Sequence, residues 1–190
     1  MGHDLRPPLG QRGLRGRRAR LSRRPLPLAL TRVAVIADTH LPRGSRRLPD
    51  ACVRELERAE LILHAGDVVG AAVLRELEVY APVAAVFGNM DEPVLRETLP
   101  ERRVVEVEGV RIGLVHIPGA RAGREERLLG SFPGCDAVVY GHTHVPQVER
   151  HRGVWVLNPG SPTERRRATR HSMLVVTAED GSLDIEQVFV

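Results

Sequence analysis

Short, almost wholly apolar runs alternate with helical stretches after residue 32, and this alternation limits the fold more than any other feature. Val33-Ala34-Val35-Ile36-Ala37, Leu61-Ile62-Leu63-His64-Ala65 and Val83-Ala84-Ala85-Val86-Phe87 are apolar at nearly every position. Runs of that length and character suit strands covered on both faces of a sheet. Between the first two, Leu48–Glu60 carries Cys52, Val53, Leu56 and Ala59 at helical spacing, with Asp50 where a first-turn carboxylate is favoured. Between the second and third, Ala71–Val79 reads as another helix. Strand, helix, strand, helix, strand is the signature of a largely parallel sheet. The second half is richer in strands. Val104–Val107 and Val110–Val115 flank Glu108-Gly109, a tight hairpin; Arg124–Leu129 reads as a short helix. Ala137–Tyr140, Val154–Leu157, Met173–Thr177 and Ser182–Val190 complete the set, the last two joined at Asp180-Gly181. The expectation is an α/β fold built as a two-sheet sandwich.

Charge divides the chain in two. All 28 basic residues are arginine. Residues 1–32 hold nine of them against Asp4, a local balance of +8 in a chain whose net charge is +4, so residues 33–190 carry −4. The pI near 10.0 therefore reflects the N-terminal segment and is no argument for a nucleic-acid-binding fold. Residues 1–31 mix Arg, Gly and Pro without apolar periodicity and are expected to form a disordered Arg-rich extension, with the folded domain over 32–190. Ser22-Arg23-Arg24-Pro25-Leu26 imitates a twin-arginine signal, but only Leu26–Leu30, broken by Pro27, follows it, so export is not expected. Nucleic acid enters as a partner only through this segment, whose arginines can bind phosphates by charge alone. No uninterrupted apolar run approaches the ~20 residues that span a bilayer. Cys52 and Cys135 form no C-x-x-C, which excludes a disulfide scaffold and a cysteine zinc finger and fits a reducing, cytoplasmic setting. Both are expected to be packing residues.

The chemistry gathers at the ends of the strands. The first runs into Asp38-Thr39-His40, the second into Gly66-Asp67, and the third into Gly88-Asn89-Met90-Asp91. Val110–Val115 ends in His116, and Ala137–Tyr140 ends in Gly141-His142-Thr143-His144. In an open α/β sheet, ligands bind in the crevice beyond the carboxyl ends of the strands. Oxygen and imidazole donors without a thiolate suit Mn, Fe, Ni or Zn. Each fragment is weak alone; their order, each after its own strand, points to a metal site.

That order of motifs, over about residues 33–165, resembles the calcineurin-like metallophosphoesterases, and most of all their small bacterial and archaeal phosphodiesterase branch. The resemblance implies a four-layer α-β-β-α sandwich and two divalent transition-metal ions, Mn foremost, with Fe, Ni or Zn as alternatives. It implies that Asp38, His40 and His144 hold one ion, that Asp67 bridges, and that Asn89, His116 and His142 complete the second. Asp67, Asn89 and His116 are the expected catalytic set. Asn158-Pro159-Gly160-Ser161 matches the N-P-G-S turn of this branch. Two departures stand out. Where larger relatives have G-N-H-[DE], this chain has Met90, which removes the obvious leaving-group acid. Where relatives often show H-G-H, His116 is followed by Ile117-Pro118-Gly119.

The residues themselves support the same chemistry. Two ions ~3.5–4 Å apart clamp a phosphoryl group and acidify a bridging water, which attacks phosphorus in line. Two carboxylates against two divalent ions leave the site positive toward an anionic ester. Without an acid at position 90, activated diesters or a 2′,3′-cyclic phosphate are favoured as the small-molecule substrate. Arg43 and Arg165, with Asn89, are the expected substrate contacts; Arg46, Arg47, Arg166, Arg167 and Arg170 lie on the same two loops. His64 is expected to be a packed, hydrogen-bonded histidine, Asp91 to orient the Asn89 loop, and Trp155 to belong to the core. Two other readings compete: a protein-binding scaffold on the same fold, as in a retromer subunit, and a nuclease, which draws only on the arginine segment.

Overall fold

The computed structural model describes Met1 and residues 30–190; the expected extension over 1–31 lies outside the described residues apart from Met1, Leu30 and Thr31. Two five-stranded sheets pack face to face. β1 (Leu30–Ile36), β2 (Leu61–His64) and β3 (Val83–Ala85) run parallel and are linked by α1 (Asp50–Leu56) and α2 (Ala71–Leu77). The antiparallel pair β9 (Ser172–Glu179) and β10 (Ser182–Phe189) completes this sheet on the other side of β1, in the order β10-β9-β1-β2-β3. The second sheet has the order β4-β5-β6-β8-β7, from β4 (Arg102–Val107), β5 (Val110–Val115), β6 (Ala137–Tyr140), β7 (Gln147–His151) and β8 (Val154–Asn158). In it β5, β6 and β8 are parallel, and β4 and β7 are antiparallel edges.

Strand alternation builds the layers. Val33, Val35 and Ala37 of β1 and its exit, with Leu63 of β2, point between the sheets, where they meet Ile112, Leu114, Val139 and Leu157 of the second sheet. Ala34 and Ile36 point the other way, onto Cys52 and Leu56 of α1 and Val73 and Leu77 of α2. Across the molecule, Val138, Tyr140 and Val156 pack on Leu128 and Phe132 of α4 (Arg124–Ser131) and its exit. The apolar runs are therefore continuous because both of their faces are covered. Burying each such side chain contributes ~1.5–3 kcal/mol, so the parallel strands lock the sandwich. The result is the expected α-β-β-α layering.

The hairpins follow turn chemistry. Glu108-Gly109 and Asp180-Gly181 take positive φ at both residues (48° and 76°; 48° and 73°), as a two-residue turn matched to strand twist requires. A third hairpin of the same kind, at Arg152-Gly153, joins β7 to β8. Sequence patterning misses β7, because Gln147-Val148-Glu149-Arg150-His151 is a mostly polar edge strand, and misses the six-residue α3 (Pro93–Thr98), too short to show a period. β1 also begins earlier than expected. Its first residues Leu30 and Thr31 pair with Glu179 and Ala178, and Thr31 Oγ1 donates to Glu108 at 2.8 Å. The strand thus crosses the expected boundary at residue 32, because ladder pairing with β9 continues beyond the apolar run. α1 is shorter than Leu48–Glu60, since Pro49 sits at its N-cap and Glu57 at its C-cap.

Candidate metal centre

Five strand exits converge on one edge of the sandwich. Asp38 and His40 follow β1, Asp67 follows β2, Asn89 follows β3, His116 follows β5, and His142 and His144 follow β6. Because the parallel strands of both sheets end here, all seven expected ligand residues arrive at one crevice. The backbone is bent to present them. Asp38, His40, Asp67, His142 and His144 all adopt left-handed conformations, with φ of 55°, 46°, 55°, 71° and 59°. For side-chain-bearing residues each costs ~1–2 kcal/mol, and such strain persists where the surroundings over-determine it, as at functional sites.

The side chains form two clusters that share a carboxylate. In one, His144 Nε2 lies 3.2 Å from both Asp38 Oδ1 and His40 Nε2, and His40 Nε2 lies 3.6 Å from Asp67 Oδ2. In the other, the opposite oxygen of Asp67, Oδ1, lies 3.3 Å from His116 Nε2. Asn89 Oδ1 lies 3.2 Å from that same nitrogen and 2.9 Å from His142 Nδ1. Two groups of donor atoms, Asp38-His40-His144 and Asp38-Asp67-His116, each fall within 4.8 Å of one another. Asp38 belongs to both groups, while Asp67 turns one oxygen to each histidine; either carboxylate is placed to bridge.

Hydrogen bonds behind the clusters fix which atoms face inward. His116 Nδ1–H donates to the Ala65 carbonyl at 2.8 Å and His144 Nδ1–H to the Glu164 carbonyl at 2.6 Å, so both Nε2 lone pairs point into the site. Asp38 Oδ2 accepts the His142 amide at 2.9 Å, and Asp67 Oδ1 accepts that of Met90 at 2.8 Å. The N-P-G-S turn ties the loops together. Ser161 Oγ donates to the Asp38 carbonyl at 2.7 Å, and Asn158 Nδ2 donates to the Gly141 carbonyl at 3.1 Å. Close approach demands glycine at Gly88, where a Cβ would collide with the Asp67 carboxylate and its backbone nitrogen.

The electrostatics are those of a cation site. Asp38 is fully buried, yet its Oδ1 has no hydrogen-bond donor. Burial would raise the Asp67 pKa, but the hydrogen bond and charge of His116, with the Met90 amide, hold it down at about 2. Burial is the largest influence on His116 and opposes its charge, but the bond to Asp67, the charges of Asp38 and Asp67 and the Ala65 carbonyl together outweigh it and raise the pKa. Burial lowers His40 and His142, keeping them neutral and able to ligate. Neighbouring donors 3.2–3.8 Å apart are also close to the ~3 Å spacing of adjacent ligands at ~2.1 Å from a divalent ion. An orphaned carboxylate oxygen, inward-facing imidazoles and this spacing fit divalent metal.

Other expected residues fall in different places. His64 is fully buried at the end of β2 and bonded to Thr39 Oγ1 at 3.1 Å, as expected of a packed histidine. Asp91 accepts the Val69 and Gly88 amides at 2.6 and 2.7 Å, anchoring the Asn89 loop. Trp155 packs against the inter-sheet core, and both cysteines are buried. Arg43 is exposed on the loop after the first motif, and Arg165 is exposed with Nη1 on the Thr169 carbonyl at 3.1 Å; neither bonds to the clusters among the described residues. Sequence reasoning overlooked Glu164. Its buried Oε2 lies 3.6 Å from both His40 Nε2 and Arg46 Nη1. The residue stands three positions past Ser161, whose Oγ accepts its amide at 2.9 Å, but only the folded turn brings it to His40.

Comparison with known proteins agrees with this geometry. A probable metallophosphoesterase of Methanothermobacter thermautotrophicus is 40% identical over 156 residues, 81% of this chain and 90% of that protein. A phosphodiesterase of Methanocaldococcus jannaschii is 28% identical over 143 residues, 68% of this chain and 82% of its own length. Among solved structures, a Thermotoga maritima protein superposes with a TM-score of 0.67 at 33% identity, covering 84% of this chain and 99% of its own. Vps29 of Entamoeba histolytica complexed with zinc superposes at 0.65 and 25% identity, covering 83% and 98%. The calcineurin-like phosphoesterase superfamily domain matches residues 31–181, which span every strand exit of the centre. Strand order, ligand order and that match agree, and the chain belongs to the calcineurin-like phosphoesterase superfamily.

Proposed function

We propose that the protein is a dinuclear metal-dependent phosphodiesterase. The observation that carries this reading is Asp67, whose two oxygens face His40 on one side and His116 on the other, so that one carboxylate serves two neighbouring cation positions. Asp38, His40 and His144 would hold one ion and Asn89, His116 and His142 the other, with Mn the first candidate. When bound, the ions supply Lewis-acid polarisation of the phosphoryl group and a water acidified toward neutral pH. The remaining work is done by the chain. Asp38 and Asp67 contribute two negative charges against four positive, which leaves the loaded crevice attractive to an anionic diester. The His116 and His144 bonds to backbone carbonyls hold their rings at fixed angles, so little reorganisation accompanies the reaction.

Specificity for diesters follows from position 90. Met90 is half exposed at the rim and offers no proton to a departing alkoxide. Exposed Ile117 borders a cleft of about 280 Å³ on the Asn89 side, lined also by Phe87, Asn89, Arg96, Glu101 and His116. With no acid at position 90, a leaving group that departs as a stable anion, such as an aryl oxide, or a strained cyclic phosphate is favoured. The test is reconstitution with Mn followed by metal analysis and turnover of bis-aryl phosphodiesters, aryl monoesters, cyclic nucleotides and single-stranded DNA. Two ions per chain and faster diester turnover are expected. Fewer than one ion without diesterase activity would leave the scaffold reading standing, and preference for DNA would favour the nuclease.

A further inference from the structure

A second and larger cleft, of about 900 Å³, opens on the His142 side of the centre, between α4, the β6–β7 connection and the loop after the N-P-G-S turn. That volume is at the upper end of what small-molecule sites use, ~300–1,000 Å³, and leaves room for a group well beyond the reacting phosphate. Arg121, Arg124, Arg166 and Arg167 line it, with Glu125 and Glu149 as the opposing carboxylates. Among the described residues, the arginines that form ion pairs are others, and none of these four has a carboxylate within 4.0 Å. The two glutamates are turned instead toward Gln147, whose Nε2 donates to Glu125 Oε1 at 3.4 Å and to Glu149 Oε2 at 2.9 Å. Positive charge is therefore left uncompensated.

Two of the arginines are held in place. Arg124 lies over the Tyr140 ring at 5.4 Å, donates to Tyr140 Oη at 3.4 Å, and keeps a buried Nε that has no partner. Arg166 Nη1 donates to the carbonyl of His142 at 3.3 Å, which brings the cleft wall against a residue of the centre itself. Guanidinium groups are weakly hydrated and match phosphate oxygens in pairs, so an anion carrying several oxygens is the ligand they recognise. Because the cleft and the centre share His142, an anion held there lies next to the reacting phosphate, where a second group of the same substrate can reach it.

We propose that this cleft is a subsite for a second phosphate, and that the preferred substrates are phosphodiesters whose other substituent bears a phosphate of its own. The inference rests on the phosphodiesterase reading for its substrate, but the cleft can be tested without it. Arg121 and Arg167 are exposed and belong to no part of the centre, so Arg121→Gln/Arg167→Gln removes two charges with little risk to folding. The control is Arg54→Gln/Arg75→Gln, two exposed arginines on α1 and α2. In the first arm, metal-free protein is titrated calorimetrically with inorganic pyrophosphate. The cleft variant is expected to bind about tenfold more weakly, the loss of roughly one net charge-assisted hydrogen bond, while the control binds as wild type does. In the second arm, Mn-loaded protein is given a thymidine dinucleotide with and without terminal phosphates. The phosphorylated form is expected to show a KM about tenfold lower at similar kcat, and the cleft variant to lose that difference. Equal pyrophosphate binding by the two variants, or equal KM for the two dinucleotides, would overturn the subsite. Absence of turnover with every diester would instead remove the phosphodiesterase reading, and the pyrophosphate titration would still decide the cleft.

Discussion

Replacing Gly88 by alanine isolates how tightly the centre is built. Gly88 follows β3 and passes directly over Asp67. An added Cβ would meet the Asp67 carboxylate oxygen and backbone nitrogen inside contact distance, with Cγ at 2.8 Å. The backbone nitrogen cannot swing away as a side-chain tip can, so the loop after β2 or the loop after β3 must move. Overpacking of this kind costs ~1–3 kcal/mol. Displacing Asp67 also breaks the bond it accepts from the Met90 amide at 2.8 Å, worth ~1.5–3 kcal/mol because one partner is charged. Together the loss is about 3 kcal/mol, which for a domain of this size lowers Tm by roughly 10 °C. The assay is thermal unfolding of metal-free protein, followed by metal analysis after Mn reconstitution. Gly130→Ala is the control: nothing lies within 4 Å of a Cβ there, and the site is helical, so the change should be neutral or stabilise by up to ~1 kcal/mol. Because Asp67 faces both clusters, Gly88→Ala should lose metal at both positions together. A Gly88→Ala protein that melts with wild type and retains two ions would refute the close-approach argument.

Four further outcomes follow from the same geometry. Asp67→Asn should weaken retention of both ions, whereas His144→Ala should chiefly weaken one, as read by competition with a chelator. His64 has its pKa lowered by burial to about 3, so it stays neutral in the fold, and its contribution to stability is fully present above ~6.5 and lost progressively as pH falls from there toward the folded value. Urea unfolding of metal-free protein between pH 6.5 and 4 should therefore show wild type losing up to ~1.4 kcal/mol per pH unit more than His64→Gln; parallel slopes would contradict it. Glu164→Gln removes a carboxylate 3.6 Å from His40 and should weaken metal binding about tenfold, at the low end of what residues behind the ligands contribute, with Tm of the metal-free protein little changed. A chain starting at Leu30 keeps the whole β1–β9 ladder and should retain melting temperature, metal content and diester turnover; a lower Tm or a lost ion would place residues before 30 in the domain.

Residue order alone determined much of this protein. The continuous apolar runs at Val33, Leu61 and Val83 could satisfy both faces only inside a layered α/β sandwich, and each ended in a metal-competent residue, so most strands and the strand-end places of the seven candidate ligands were legible in the sequence, while their division between two ions came from the family resemblance. Local turn chemistry was equally plain at Glu108-Gly109 and Asp180-Gly181, where φ is positive at both residues. Other features depend on contacts between distant segments and have no local pattern. β7 is a strand because β8 offers it a ladder, since its own sequence is mostly polar. Leu30 and Thr31 are in β1 because β9 extends alongside them. Glu164 reaches His40 only because Ser161 clamps the turn to Asp38, across more than a hundred residues of chain. The arginine cleft is likewise a tertiary product: Arg121 and Arg124 come from one loop and helix, Arg166 and Arg167 from another, and only the packing of both beside His142 turns four scattered charges into one concave surface. Periodicity records what a segment buries, whereas a site records which segments meet, and that is settled by the sheet order.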